Sequence, residues 1–168
     1  LGRQAVEYLQ SRGIDQRLAA KFYLGYAADN WDGLVRYLES IGVDLADAME
    51  AGVILKGKNG YFDRFRGRIM FPICDHLGRF IGFGGRSMDP TQPKYLNSPG
   101  TAVFNKSQTV YGLNWSKEAI KERNEVIIVE GYTDFISLFA KNQKQVVASL
   151  GTAFSPGHAR LLSRFATK

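Results

Sequence analysis

The sequence predicts an α+β amino-terminal part followed by a shorter α/β part with parallel strands. The first fifty residues carry amphipathic stretches punctuated by glycine. Residues 61–86 are dense in β-branched and aromatic side chains around a single turn, and residues 126–162 alternate strand, helix, strand, helix. The division falls at residues 1–122 and 123–168.

Taken in order, AVEYLQSRG (5–13) reads as a helix closing on glycine, and Asp15 caps a second helix over QRLAAKFYLGY. WDGLVRYLESIG (31–42) and VDLADAMEAGV (43–53) repeat the pattern. Two runs of strand-forming residues flank Asp75-His76-Leu77-Gly78, a hairpin signal. Pro72 places its strand at an edge or at a bulge. Gly82, Gly84 and Gly85 predict close backbone approach or strong bending. Residues 87–101, with three of the five prolines, read as loop, and a helix is expected around 116–123. VIIVE (126–130) then reads as a buried strand, YTDFISLFAKN as a helix with Phe135, Ile136 and Phe139 on one face, and QVVAS (145–149) as a second strand. Ser155-Pro156 opens a last helix.

Bulk composition narrows the function. One cysteine, Cys74, excludes a disulfide framework and a multi-thiolate zinc site within the chain. No apolar run approaches a membrane span, so the expected setting is cytoplasmic and reducing, with no membrane partner. The chain opens on Leu1 and stops at Lys168, which predicts a piece of a longer polypeptide. The net charge of +6 is uneven: residues 1–55 hold five Lys/Arg against eight Asp/Glu, residues 56–123 twelve against five, and residues 124–168 five against three. A basic middle block suits a polyanion, although a solvated surface explains it equally well.

The strongest local question is the carboxylate of Glu130, at the exit of an apolar strand and before Gly131. In an open parallel sheet, ligands bind beyond the carboxyl ends of the strands. Glu130 and Asp134, four residues apart across a strand-to-helix turn, offer hard oxygens to Mg²⁺. The plainer alternative is that Asp134 complements the helix dipole and Glu130 pairs with a lysine.

EGYTD (130–134), followed by SLGTAFSPGHARLL (149–162), resembles the front half of a Toprim domain, a Rossmann-like parallel sheet. Upstream, DRFRGRIMFPICDHLGRFIGFGGR (63–86) and PKYLNSPGTAVFNKSQTVYGL (93–113) closely resemble the catalytic core of bacterial DnaG-type DNA primase. The resemblance runs from about residue 3 to residue 168. It implies a nucleotidyltransferase, a DNA-directed RNA polymerase that makes short RNA primers from NTPs on single-stranded DNA. Glu130 is the implied catalytic and metal residue, with Asp134 beside it and Mg²⁺ or Mn²⁺ as cofactor. Arg64, Arg66, Arg86, Lys94, Asn97, Lys106 and Tyr111 fall on the implied nucleotide and nucleic-acid groove. Zinc belongs to an amino-terminal domain, and the replicative helicase to a carboxy-terminal one, neither contained here. Two further Toprim aspartates lie beyond Lys168, so the chain alone is expected to be monomeric and inactive. In FNKS, Asn105 and Ser107 stand where relatives often carry histidine and glycine, which predicts a stiffer loop with the lysine's charge retained.

The competing readings are a Toprim-type nuclease or topoisomerase, and a single-stranded DNA-binding module without chemistry. Arg64, Arg66 and Arg68 alternate and are expected on one side of a strand, facing either ligand or solvent. His76 and His158 read as surface residues, Cys74 as a buried small hydrophobe, and Phe62, Phe65, Phe71, Phe80 and Phe83 as core. Gly151-Thr152 reads as a turn whose N–H groups could meet phosphate.

Overall fold

The computed structural model describes residues 2–151 and 153–168. The amino-terminal elements are α1 (Arg3–Ser11), α2 (Gln16–Lys21), β1 (Gly25–Ala27), α3 (Gly33–Ser40), α4 (Leu45–Glu50), β2 (Ile54–Gly57), β3 (Gly60–Asp63), β4 (Arg68–Cys74), β5 (Phe80–Ser87) and β6 (Tyr95–Asn97). A 3-10 turn at Lys106–Gln108 leads into α5 (Leu113–Arg123), β7 (Ile127–Val129), α6 (Tyr132–Ala140), β8 (Val146–Ala148) and α7 (Pro156–Leu162). No helix among the described residues is long and apolar enough to cross a membrane.

Local chemistry sets these boundaries. Asp15 Oδ1 accepts the Leu18 N–H at 2.8 Å, and Asp44 Oδ1 accepts the Ala46 N–H at 2.8 Å, opening α2 and α4. Helix α3 takes its cap from a distance: the buried Asp63 carboxylate accepts the Leu34 and Val35 N–H groups at 2.8 and 3.0 Å. One side chain thus closes the helix and ties it to the end of β3.

The main sheet is antiparallel in the order β1-β4-β5-β6, with β2-β3 a separate hairpin and β7-β8 a parallel pair. The second helix is shorter than expected. It ends at Lys21, and Gly25–Ala27 pairs with Arg68–Met70 because that flank of β4 has unpaired backbone groups to satisfy. Pro72 lies beyond the reach of β1, where β4 has one neighbour, and the register slips just after it, between Ile73 and Cys74. The loop-rich stretch holds β6, which pairs with Gly84–Arg86. The parallel β7–α6–β8 unit forms as expected, but β7 is not buried. It is the outer strand, with Ile128 42% exposed, whereas β8 is covered on both sides and bridged by Tyr111.

One hydrophobic core runs through both parts of the chain. Phe22 meets Trp115, Phe135 and Phe139 edge-on at 5.0, 5.6 and 5.5 Å. Phe71 of β4 stacks on Tyr132 of α6 at 4.7 Å. Gly84 makes this seam possible, since a Cβ there would lie 2.1 Å from the Tyr132 hydroxyl. The glycines of β5 thus mark close approach, as the sequence predicted.

Candidate active site

Where β6, the 3-10 turn and the amino terminus of α6 meet, the fold leaves a cavity of ≈ 650 Å³. Glu130 and Asp134 contribute carboxylates to it, and Arg64, Lys94 and Lys106 contribute cations. Glu130 follows β7 immediately, and its backbone carbonyl accepts the Gly151 N–H at 3.1 Å, which fixes the strand exit. Both carboxylates are exposed and neither belongs to any of the ion pairs among the described residues. The same residues hold no cluster of three or more metal-ligating side chains.

The basic wall is braced from behind. Arg64 Nη2 donates to the Asn97 carbonyl at 3.2 Å, while its buried Nε–H has no partner among the described residues. Burial holds its guanidinium below the ordinary arginine range. Arg68 is buried and donates to the Pro93 carbonyl at 2.9 Å, pinning the peptide that leads to Lys94. The Lys94 side chain itself is exposed. In the 3-10 turn, Asn105 Oδ1 accepts both the N–H and the hydroxyl of Ser107, at 3.0 and 2.8 Å, so this variant loop is cross-braced beside Lys106.

Several expected positions lie elsewhere. Residues 64–67 bend between β3 and β4, so Arg64, Arg66 and Arg68 do not share one strand face. Arg66 donates to the Asp63 carbonyl and lies 4.7 Å over Trp31 and 5.6 Å over Phe62, outside the cavity wall. Arg86 is beside the cavity rather than in it, 3.7 Å over the ring of Tyr8, which does line it. Tyr111 is fully buried, packed edge-on against Tyr132 and Phe135 at 4.8 and 5.1 Å, and unavailable to a ligand. Burial raises its hydroxyl far above the ordinary range, so it stays neutral.

Asn97 lines the cavity through a buried side chain whose amide serves the protein. Its Oδ1 accepts the Tyr132 hydroxyl at 2.7 Å, and its Nδ2 donates to the Leu150 carbonyl at 3.0 Å. It joins β6 to the start of α6 and the end of β8, rather than offering a free amide to phosphate or ribose. His158 is also buried, not a surface residue. His76 is half-buried, with its carbonyl accepting Lys117 Nζ at 2.9 Å. Phe80 is 57% exposed against Tyr23, so it is not core. In the Gly151-Thr152 turn, the Gly151 N–H is used by Glu130, and Thr152 lies outside the described residues.

Sequence reasoning missed Tyr8, Arg12 and Tyr95 in the cavity wall and Trp31 on the outer surface. Tyr132, buried in the same wall, was missed as well, although it lies inside EGYTD. Trp31 is 62% exposed and stacked on Phe62 at 4.6 Å. Its helix-capping neighbours disguised it as ordinary helix start.

Residues 1–117 match the family model for the DNA primase catalytic core, N-terminal domain, and residues 124–168 match a Toprim domain. The chain is 48% identical over 162 residues to DNA primase of Deinococcus radiodurans, covering 95% of this chain and 28% of that protein. It superimposes on the RNA polymerase domain of Mycobacterium tuberculosis primase DnaG, solved with double-stranded DNA, with a TM-score of 0.92 at 34% identity, over 97% of this chain and 52% of that one. A DnaG primase catalytic domain bound to single-stranded DNA gives 0.88 at 38% identity, over 98% and 51%. The chain thus spans little more than a quarter of the D. radiodurans relative. An α+β core carrying a Toprim strand–helix–strand unit, matched over nearly all its length, makes this chain a member of the bacterial DnaG-type DNA primase family, within its catalytic core.

Proposed function

We propose that this chain supplies part of the nucleotidyl-transfer centre of a primase, which builds RNA primers from NTPs on single-stranded DNA. The observation that carries this is the exposed Glu130 carboxylate at the tip of β7, in no ion pair among the described residues and lining one cavity with Arg64, Lys94 and Lys106. Such an arrangement places an acid where a cation can sit and bases where polyphosphate can lie.

Glu130 and Asp134 fit a divalent cation, Mg²⁺ or Mn²⁺, because both offer exposed carboxylate oxygens and neither is in an ion pair among the described residues. Such an ion, when bound, neutralises charge on the transferred phosphoryl group and lowers the pKa of the attacking hydroxyl. Two carboxylates are a partial set for such an ion. Lys94 and Lys106 act as point charges on the triphosphate, and the Arg64 guanidinium adds its charge to the same wall. The exposed Trp31–Arg66 stack gives an unpaired base a flat surface outside the cavity, which suits a template read without sequence preference. We place the boundary between the two motif blocks at 122/123.

The test is primer synthesis by the full-length protein carrying Glu130→Gln. The expected result is a loss of about a hundredfold or more, with unchanged thermal unfolding. A variant that still makes primers at the parental rate overturns the assignment. So does a parental protein that nicks DNA instead of extending primers.

A further inference from the structure

The SPGH stretch of the Toprim half (155–158) has so far no part in this site, yet its histidine is fully buried. We propose that His158 is a positioning residue for Lys106, an inference that rests on the role of Lys106 proposed above. The Ser155 N–H donates to His158 Nδ1 at 3.2 Å, so Nδ1 carries no proton. The proton of the neutral ring is therefore on Nε2, which lies 2.6 Å from the Lys106 carbonyl and donates to it. A second contact runs in parallel: Ser155 Oγ accepts the His158 N–H at 3.2 Å and donates to the Ser107 carbonyl at 2.6 Å.

Two successive carbonyls of the 3-10 turn, those of Lys106 and Ser107, are thus held by the first turn of α7. Gly157 lets them come this close, since a Cβ there would lie 2.3 Å from the Ser107 carbonyl oxygen. The lysine that lines the cavity together with Glu130 is consequently indexed to the Toprim half, although it belongs to the amino-terminal motif block. The same turn reaches the other side of Glu130. Phe154, whose ring centre is 5.5 Å from that of His158, borders a second depression of ≈ 430 Å³ that Glu130 also lines. Movement of α7 would therefore shift Lys106 relative to the acid it serves.

The roles of the two ring nitrogens separate by substitution. His158→Asn places an amide near the position of Nδ1, keeping the contact to Ser155, but falls short of the Lys106 carbonyl. His158→Gln extends an N–H to the position of Nε2. The experiment measures steady-state primer synthesis by the full-length protein with Lys106→Ala, His158→Asn, both together, and His158→Gln, alongside thermal unfolding. The expected result is a rise of about tenfold in KM for NTP with His158→Asn, and kcat within about twofold. Adding His158→Asn to Lys106→Ala should change little further, and His158→Gln should restore most of the parental KM. Equal losses of KM and stability with no rescue by Gln, or fully multiplicative effects in the double variant, overturn the positioning role while leaving Lys106 in the site. An unchanged KM in Lys106→Ala removes the underlying reading of the lysine, and this inference with it.

Discussion

Arg64 and Glu130 line the same cavity, yet the arginine is tethered while the glutamate carboxylate is exposed and in no ion pair among the described residues. The contrast extends to their neighbours. Behind the basic wall, Arg68 holds the Pro93 carbonyl and His158 holds the Lys106 carbonyl. On the acidic side, Asp134 is in no ion pair among the described residues and lies exposed in the first turn of α6. Long cationic side chains lose about 2 kcal/mol of rotamer freedom each when fixed on a ligand. Bracing the backbone that carries them, before any ligand arrives, reduces how far they must be ordered. Short carboxylates need less bracing, and any protein partner would compete with a bound cation.

The walls are held apart and in register by a polar seam between β5, β6 and α6, and breaking it should produce the largest effects. Gly84→Ala brings a methyl to 2.1 Å from the Tyr132 hydroxyl, between a central strand and a buried ring. Thermal unfolding should show a loss of about 3 kcal/mol. A stability equal to the parent would mean that Tyr132 is not fixed against β5. Asn97→Ala leaves the buried Tyr132 hydroxyl and the Leu150 carbonyl without their present partners. A loss of about 2 to 3 kcal/mol is expected in the same measurement. If Asn97 served nucleotide rather than the seam, the variant would instead lose NTP affinity at unchanged stability.

How much of this the sequence disclosed follows from range. Glu130, Asp134 and the strand–helix–strand unit were legible because a charge following four apolar residues and a helix start are local patterns. Lys94 and Lys106 came from motif resemblance and do line the cavity. The burial of Tyr111 and Asn97 was not legible, because a motif marks that a residue matters without saying whether it is exposed or packed within the protein. Their burial depends on contacts more than twenty residues away in the chain, as with Tyr111 and Phe135 or Asn97 and Tyr132. The alternation of Arg64, Arg66 and Arg68 failed for a related reason, since period two has meaning only within one strand and a bend intervenes. His158 was hidden because a helix-start histidine looks the same in sequence whether its ring meets water or the carbonyl of Lys106.

Trp31 and Arg66 lie on neither wall, and they sharpen the comparison by testing whether all nucleic-acid contact is confined to the cleft. Trp31→Ala removes an exposed stacking surface and leaves the cavity lining intact. Fluorescence anisotropy with a labelled oligothymidylate should show single-stranded DNA binding weakened by about 1 to 2 kcal/mol, with stability changed little. The NTP KM should stay at the parental value. A shift in KM without a change in DNA affinity would place the tryptophan in the nucleotide path instead.

The smallest effect separates a residue behind the walls from one within them. The Tyr111 hydroxyl is buried with no hydrogen-bond partner among the described residues, while its ring supports Tyr132 and, through backbone bonds to Ala148, the central parallel strand. Removing that oxygen relieves an unsatisfied polar group and keeps the ring in place. Tyr111→Phe should therefore leave primer synthesis at the parental rate and raise stability slightly, by up to about 1 kcal/mol in chemical denaturation. A hydroxyl that touched nucleotide would give the opposite pattern, with weaker NTP binding and no gain in stability. The sign of this small change thus decides whether the tyrosine of the VYG motif belongs to the cleft or, as its complete burial indicates, to the core on which both walls are mounted.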